Sequence, residues 1–287
     1  MSRLGFRTHG FPHNPTHLSS IGQVRRRFFA QRRKRHGMPV AIVALVILLP
    51  ACGETSASRG SSSSGDTITV AAAASLTQAF SEIGQDFEAN NPGSKLTFSF
   101  GSSATLATQI TQGAPIDVFA AASPATMKTV TEAGIANPPV DFASNTLQIA
   151  VPKGNPGKIT GLSDFTDESR KIAICAPQVP CGAAAIQVFA AAKIVPAPDT
   201  LEQDVKAALQ RVESDEVDAA LVYKTDVLAA GDNVEGIEFP EAARAVNVYQ
   251  IATLRASENA AFAHRFVEYA RSVDGQAVLS EAGFGRP

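Results

Sequence analysis

No tryptophan occurs in the chain, and aromatic residues make up only 7% of its 287 positions. That shortage of flat rings argues against the stacking platforms used for single-stranded nucleic acid or sugars. Histidine is scarce where it could act. Four of the five lie within the first 36 residues, leaving His264, on what reads as the exposed face of a C-terminal helix. A nucleophilic serine needs a base. With one remote histidine and no Gly-x-Ser-x-Gly turn, a Ser-His-Asp hydrolase is not credible. There is also no Walker-type phosphate loop and no metal-ligand cluster. The reading is therefore of a protein that is not an enzyme and needs no cofactor. Acidic residues are missing from the first 51 positions, which hold nine of the 25 Lys and Arg; the remaining 16 face 27 Asp and Glu, so the rest of the chain carries about −11. Such a body is a poor partner for nucleic-acid phosphates.

The basic N-terminus leads into the apolar run Met38–Leu49, too short to span a bilayer comfortably, and then Leu49-Pro50-Ala51-Cys52. This is the layout of an exported protein. It resembles a bacterial lipoprotein signal, which would make Cys52 the acylated first residue and anchor the chain to the extracytoplasmic side of the cell membrane. "RRRFF" at 25–29 is similar to a twin-arginine export signal, although a second basic cluster separates it from the apolar run. Residues 1–51 are thus expected to be an export segment. The Ser- and Gly-rich residues 52–66 read as a flexible tether. Cys175 and Cys181, in "CAPQVPC", are the other two cysteines. Export would permit a disulfide between them, and the sequence leaves that pairing open. Two thiolates with no histidine nearby are an incomplete metal site.

From Thr67 onward, apolar strands alternate with helices. "TITVAAAA" reads as a buried strand, and 75–90 as a helix with Leu76, Phe80, Ile83 and Phe87 at helical spacing. "KLTFSF", a helix from Ser102 or Ser103 to Gly113, "IDVFAAA", and a helix with Pro124 in its first turn and Gly134 past its end follow. A second set runs from "NTLQIAVPKGN" through "KIAIC", two helices and "DAALVYK"; "VNVYQIATL" and two helices close the chain. Continuous apolar strands separated by helices indicate an α/β fold with mostly parallel sheets covered on both faces. The expectation is two lobes, 67–147 plus 245–287 and 148–244, joined by a hinge.

In an open parallel sheet, ligands sit beyond the carboxyl ends of the strands. There, unpaired N–H groups and the positive helix end favour an anion. At those ends this chain has Ser75, Gly101-Ser102-Ser103, Ala121-Ala122-Ser123 and Cys181-Gly182-Ala183, and none carries Lys, Arg or His. A serine at such a place is more often a helix cap than a ligand contact, and Ser75-Leu76-Thr77-Gln78 fits a capping box. Capping alone does not require that every neighbour be small and uncharged. Small neighbours let the backbone approach a ligand closely.

"AAASLTQAF", "FSFGSSATLATQITQGAPIDVFAAAS", "VPCGAAA" and "LVYKTD" resemble the periplasmic molybdate-binding proteins, the substrate-binding components of ABC importers, over nearly all of 66–287. The resemblance implies a two-lobe periplasmic-binding-protein type II fold closing over a tetrahedral dianion, molybdate or tungstate, in a monomer that delivers it to a permease and its ATPase. It implies ligand contacts from the hydroxyls and amides of Ser75 and Ser103, the amides of Ala122, Cys181 and Val205, and the phenol of Tyr223. Related proteins often carry an aliphatic residue where this chain has Cys181; a backbone donor survives that difference. Asp204, beside Val205, is an acceptor that a protonated oxyanion such as hydrogen phosphate could use. The rival readings are a binder of sulfate or phosphate on the same fold and a surface lipoprotein with no small ligand.

Overall fold

The computed structural model describes residues 66–287. The expected export segment, the acylation site Cys52 and the tether up to residue 65 lie outside the described residues. Strand β1 (Thr67–Ala73) opens the first lobe, followed by α1 (Thr77–Asn90), β2 (Lys95–Gly101), α2 (Ser103–Thr111), β3 (Val118–Ala121), α3 (Pro124–Glu132) and β4 (Val140–Asn145). The second lobe holds β5 (Leu147–Pro152), β6 (Ile172–Cys175), α4 (Pro180–Ala192), β7 (Thr200–Glu202), α5 (Val205–Glu213), β8 (Ala219–Tyr223), α6 (Lys224–Ala230) and β9 (Val234–Ile237). The chain then returns to the first sheet as β10 (Asn247–Thr253) and ends with α7 (Ala260–Arg271) and α8 (Val273–Glu281).

Two five-stranded sheets result, ordered β2-β1-β3-β10-β4 and β7-β6-β8-β5-β9. In each, three strands run parallel and the remaining two add by antiparallel pairing. The sheets are therefore mixed, with a parallel half. That half carries the strand ends that matter, because the register of β1 on β2 runs from Thr67↔Lys95 to Ala73↔Gly101 and sets both exits level. The chain leaves the first sheet at Thr146; Leu147, expected at the end of the first lobe, already pairs with Tyr223 in the second sheet.

Each lobe has its own core. Strands β3, β5, β6 and β8 are buried along their whole length, as continuous apolar strands should be when helices cover both faces. In the first lobe the Phe80 ring meets Phe98, Phe142 and Phe266 at 6.3, 5.7 and 5.9 Å between centroids. Phe80 and Phe87 recur on one face of α1, and that face packs against α7 through Phe262 and Phe266. In the second lobe Phe165 packs on Phe189 among Ile149, Val188 and Val222. Ala74, from the first lobe, packs into this second core, so the lobes meet closed.

Local chemistry explains most boundaries. Ser123 caps α3 by accepting from the Thr126 amide at 3.3 Å, and Gly134 takes the positive φ of 71° that ends the helix. Cys175 and Cys181 are joined by a disulfide, Cα to Cα 5.7 Å, which ties the end of β6 to the first turn of α4. Gly182 is needed at that junction: a Cβ there would sit 1.9 Å from the Ala176 carbonyl oxygen. The strand end and the helix start are thus drawn together by both a covalent bond and a missing side chain.

Candidate functional site

The carboxyl ends of the parallel strands in both sheets converge on one cavity. The first lobe contributes Ala73–Ser75 after β1, Gly101–Ser103 after β2 and Ala122 after β3; the second contributes Val179–Cys181 after β6, Asp204–Val205 after β7 and Tyr223 at the end of β8. All six residues expected to face a ligand, Ser75, Ser103, Ala122, Cys181, Val205 and Tyr223, line it. None of the lining residues is Lys, Arg or His. As closed here the cavity measures about 20 Å³, against roughly 300–1,000 Å³ for pockets that take organic ligands. Closed this far it has room for little more than a single water, far too little for a sugar or nucleotide. A larger groove of about 730 Å³, beside α8 and the C-terminus, is built by one lobe alone and lacks any such convergence of strand ends.

Three helices begin at the cavity wall: α2, α4 and α5. Their first-turn amides have no partner within the helix and carry the positive end of the helix dipole. Pro180 opens α4 and has no N–H, so the Cys181 amide is the first donor there. Asp204 caps α5: its Oδ1 accepts from the Lys206 and Ala207 amides at 2.9 and 3.0 Å, leaving the Val205 amide ahead of them.

The hydroxyls are arranged differently from a row of caps. Ser75 lies inside a 3-10 turn, Ala74–Leu76, and α1 has no side-chain cap. The capping-box reading of Ser75 is therefore overturned, because the turn inserts before α1 and carries the hydroxyl inward. Its Oγ lies 2.8 Å from Tyr249 Oη, both buried. Ser103 Oγ accepts from the Ala122 amide at 3.1 Å, so that amide, expected to face a ligand, here orients the serine. Asn247 Nδ2 donates to the Ala122 carbonyl at 2.9 Å and pins the same loop. Ser102 occupies the N-cap of α2 yet makes no cap bond, and its buried Oγ has no hydrogen-bond partner. The buried Tyr223 hydroxyl makes no hydrogen bond of acceptable geometry either, although the Tyr249 hydroxyl lies near enough to act on it. Unsatisfied buried hydroxyls are costly and rare; two on the wall of one small cavity mark where an acceptor belongs. Burial first, then the neighbouring Tyr249 and Asp226, pushes the Tyr223 phenol well above its ordinary range, so it stays protonated and able to donate.

Behind Tyr223 lies a carboxylate that the sequence reading passed over. Asp226 has a fully buried side chain; its Oδ2 accepts from the Tyr223 amide at 3.2 Å and its Oδ1 contacts Lys206 Nζ at 3.1 Å. Lys206 is thus committed to Asp226 and is absent from the cavity wall. Ser102, Tyr249 and Asp226 were all missed or undervalued from sequence. The available signal was a tyrosine in an otherwise apolar strand, whose hydroxyl must find a partner once buried. Among the described residues, no group of three or more His, Cys, Asp or Glu could hold a metal ion, and no helix is long and apolar enough to cross a membrane.

Residues 68–285 match the family described as bacterial extracellular solute-binding protein. The chain is 40% identical over 257 residues to the molybdate-binding protein ModA of Mycobacterium tuberculosis, covering 88% of this chain and 98% of that one. Among solved structures, the periplasmic molybdate-binding protein of Azotobacter vinelandii superposes with a TM-score of 0.63 at 22% identity, over 77% of this chain and 99% of that one. The sulfate-binding protein SubI of Mycobacterium tuberculosis does so with a TM-score of 0.68 at 18% identity, over 76% and 86%. The two structural likenesses bear on fold alone.

Burial raises the Asp226 pKa, and Lys206 is the largest influence pulling it back down. An acid with a raised folded pKa adds stability at low pH, and that stability is lost as pH rises from the ordinary carboxylate range through the folded value. Removing Lys206 widens the loss. Lys206→Met is expected to destabilise the protein near neutral pH by about 3 kcal/mol, the low end for a broken buried pair, because the Lys206 side chain is 33% exposed. The deficit should shrink as pH falls toward 4. Urea denaturation at pH 4.5 and 7.5 measures it; a pH-independent deficit would contradict the ionised pair.

Proposed function

The chain belongs to the bacterial extracellular solute-binding proteins, and from that premise we propose that it captures molybdate between its two lobes and delivers it to an ABC importer. The observation that carries this reading is the cavity wall: hydroxyls and helix-start amides from both lobes converge there without a cation, and two of the hydroxyls make no other hydrogen bond of acceptable geometry. Every donor is neutral, and apart from the Ala122 amide, which Ser103 holds, each is free to meet an oxygen of a tetrahedral dianion. Hydrogen bonds to a charged group contribute roughly 1.5–3 kcal/mol each, net of exchange with water. Half a dozen held in place by rigid helix starts can hold the ion without a counter-charge. The 40% identity to a molybdate-binding protein over almost its whole length supports the choice of ion.

The finer parts of the proposal follow from the chemistry. Tungstate matches molybdate in charge and shape and should bind comparably. Sulfate is smaller and would leave donors at stretched distances. Hydrogen phosphate must donate its own proton. Asp204 is the one carboxylate on the wall, and its Oδ1 already accepts from two amides. The protein would act as a monomer outside the cytoplasm, tethered through a lipid on Cys52, with the permease and its ATPase as partners. Neither a catalytic step nor a cofactor is required.

A thermal-shift screen with molybdate, tungstate, sulfate and phosphate is the first test. Mass action predicts that molybdate and tungstate raise Tm, with stabilisation of about 2.7 kcal/mol at a hundredfold excess over Kd; a protein stabilised only by sulfate or phosphate would reassign the ligand. Tyr223→Phe is expected to weaken molybdate binding about tenfold through the loss of one hydrogen bond. Calorimetry showing unchanged affinity would reduce Tyr223 to packing.

A further inference from the structure

Tyr249 does not line the cavity, yet its hydroxyl lies 2.8 Å from Ser75 Oγ, which does. Either oxygen could donate across that distance, and the groups behind Tyr249 bias the choice. Asn145 Oδ1 accepts from the Thr146 amide at 3.0 Å, which fixes the orientation of the Asn145 side-chain amide. Its Nδ2 then donates to Thr225 Oγ1 at 2.8 Å and to Tyr249 Oη at 3.4 Å. An amide nitrogen can only donate. Tyr249 Oη accepts from Asn145, and Ser75 Oγ, at 2.8 Å, is the nearest hydrogen-bonding acceptor for its single proton. Burial pushes the Tyr249 phenol far above its ordinary range, so that proton stays in place at any physiological pH. Ser75, accepting from Tyr249, cannot aim its own proton back along the same line. The remaining side of its hydroxyl is the cavity.

The same device recurs at Ser103. Its Oγ accepts from the Ala122 amide, which leaves its proton for the cavity. The two serines expected to face the ligand are thus both primed as donors by a hydrogen bond arriving from the protein side. Chains of this kind strengthen each successive bond, because each donor is polarised by the one behind it. The longer chain also crosses the hinge: Asn145 ends β4 in the first lobe, and Thr225 belongs to α6 in the second.

Resting on the molybdate reading above, we infer that Asn145 and Tyr249 are positioning residues that hold Ser75 as a proton donor to the bound anion, and that this fixed polarity selects fully deprotonated oxyanions over protonated ones such as hydrogen phosphate. Neither residue touches the ion. They act by removing the alternative in which Ser75 turns its proton away and offers only lone pairs. A dianion with four acceptor oxygens benefits from that constraint. An oxyanion that must donate a proton is disfavoured by it.

Titration calorimetry of wild type and Tyr249→Phe with sodium molybdate and sodium phosphate at pH 8 tests the inference, with phosphate read by competition where direct heats are small. The expected result is a molybdate Kd raised by up to about tenfold, the value of the one neutral hydrogen bond lost behind Ser75. Phosphate affinity should be unchanged or tighter, so the molybdate-to-phosphate ratio falls by up to about tenfold. Equal losses for both anions would show that Tyr249 serves packing alone and would overturn the inference, as would unchanged affinities. A wild-type protein that binds no molybdate would overturn the ligand reading and this inference with it, whereas a binding wild type with an unaltered variant overturns the relay only. Thermal melting of the ligand-free variant checks folding. Should Tyr249→Phe fail to fold, Asn145→Leu removes the donor behind Tyr249 and is read by the same ratio.

Discussion

Helix starts that present uncharged donors to a small shared cavity are the constraint on which the rest of this structure depends. An anion can be held by cations or by oriented dipoles. A lysine ammonium is a strong point charge with little sense of shape; dipoles fixed by backbone geometry discriminate by position. Here α2, α4 and α5 all begin at the cavity, and Lys206, one residue beyond Val205 on its wall, is paired with buried Asp226. That pairing does two things. It keeps a full positive charge off the cavity wall, and it keeps a buried negative charge from acting unopposed on a dianion nearby.

Much of the surrounding architecture serves to fix those helix starts. The β1–β2 register places two exits side by side. The Cys175–Cys181 disulfide and the close approach of Gly182 to Ala176 hold the start of α4 against the end of β6. Asn247 holds the loop after β3. A donor that is placed before the ligand arrives needs no ordering when it binds, and that preorganisation is where affinity for so small an ion must come from. The cavity is shared between lobes, so an opening between them would separate the donors and release the ion. A binding protein that must pass on its cargo needs that property.

The fold was largely legible in the sequence because its parallel strands are buried on both faces and read as apolar runs. Strands β1, β3, β6 and β8 and the helices beside them stand out on that ground. Strands β4, β7 and β9 did not, since β7 has three residues, β9 has exposed Glu and Gly within it, and β4 mixes polar and apolar positions without a clean period. Helix α6 was hidden because it follows β8 with no intervening break. The six residues expected to face a ligand could be named by resemblance and by their position at strand ends. The groups behind them could not. Asn145, Tyr249 and Asp226 are far from the motifs in sequence, and only the return of β10 beside β3 brings Tyr249 to Ser75. Ser75 itself looked like a helix cap because a hydroxyl followed by a helical pattern is what caps look like; an inserted 3-10 turn made the difference.

The most direct test of capture by neutral donors is a crystal structure of the molybdate complex. Oxygens of the ion should lie about 2.7–3.0 Å from hydroxyls and helix-start amides of both lobes, as charge-assisted hydrogen bonds do, while Lys206 stays on Asp226. A lysine or arginine nitrogen bonded directly to the ion, with Lys206 swung away from Asp226 the plainest case, would contradict it.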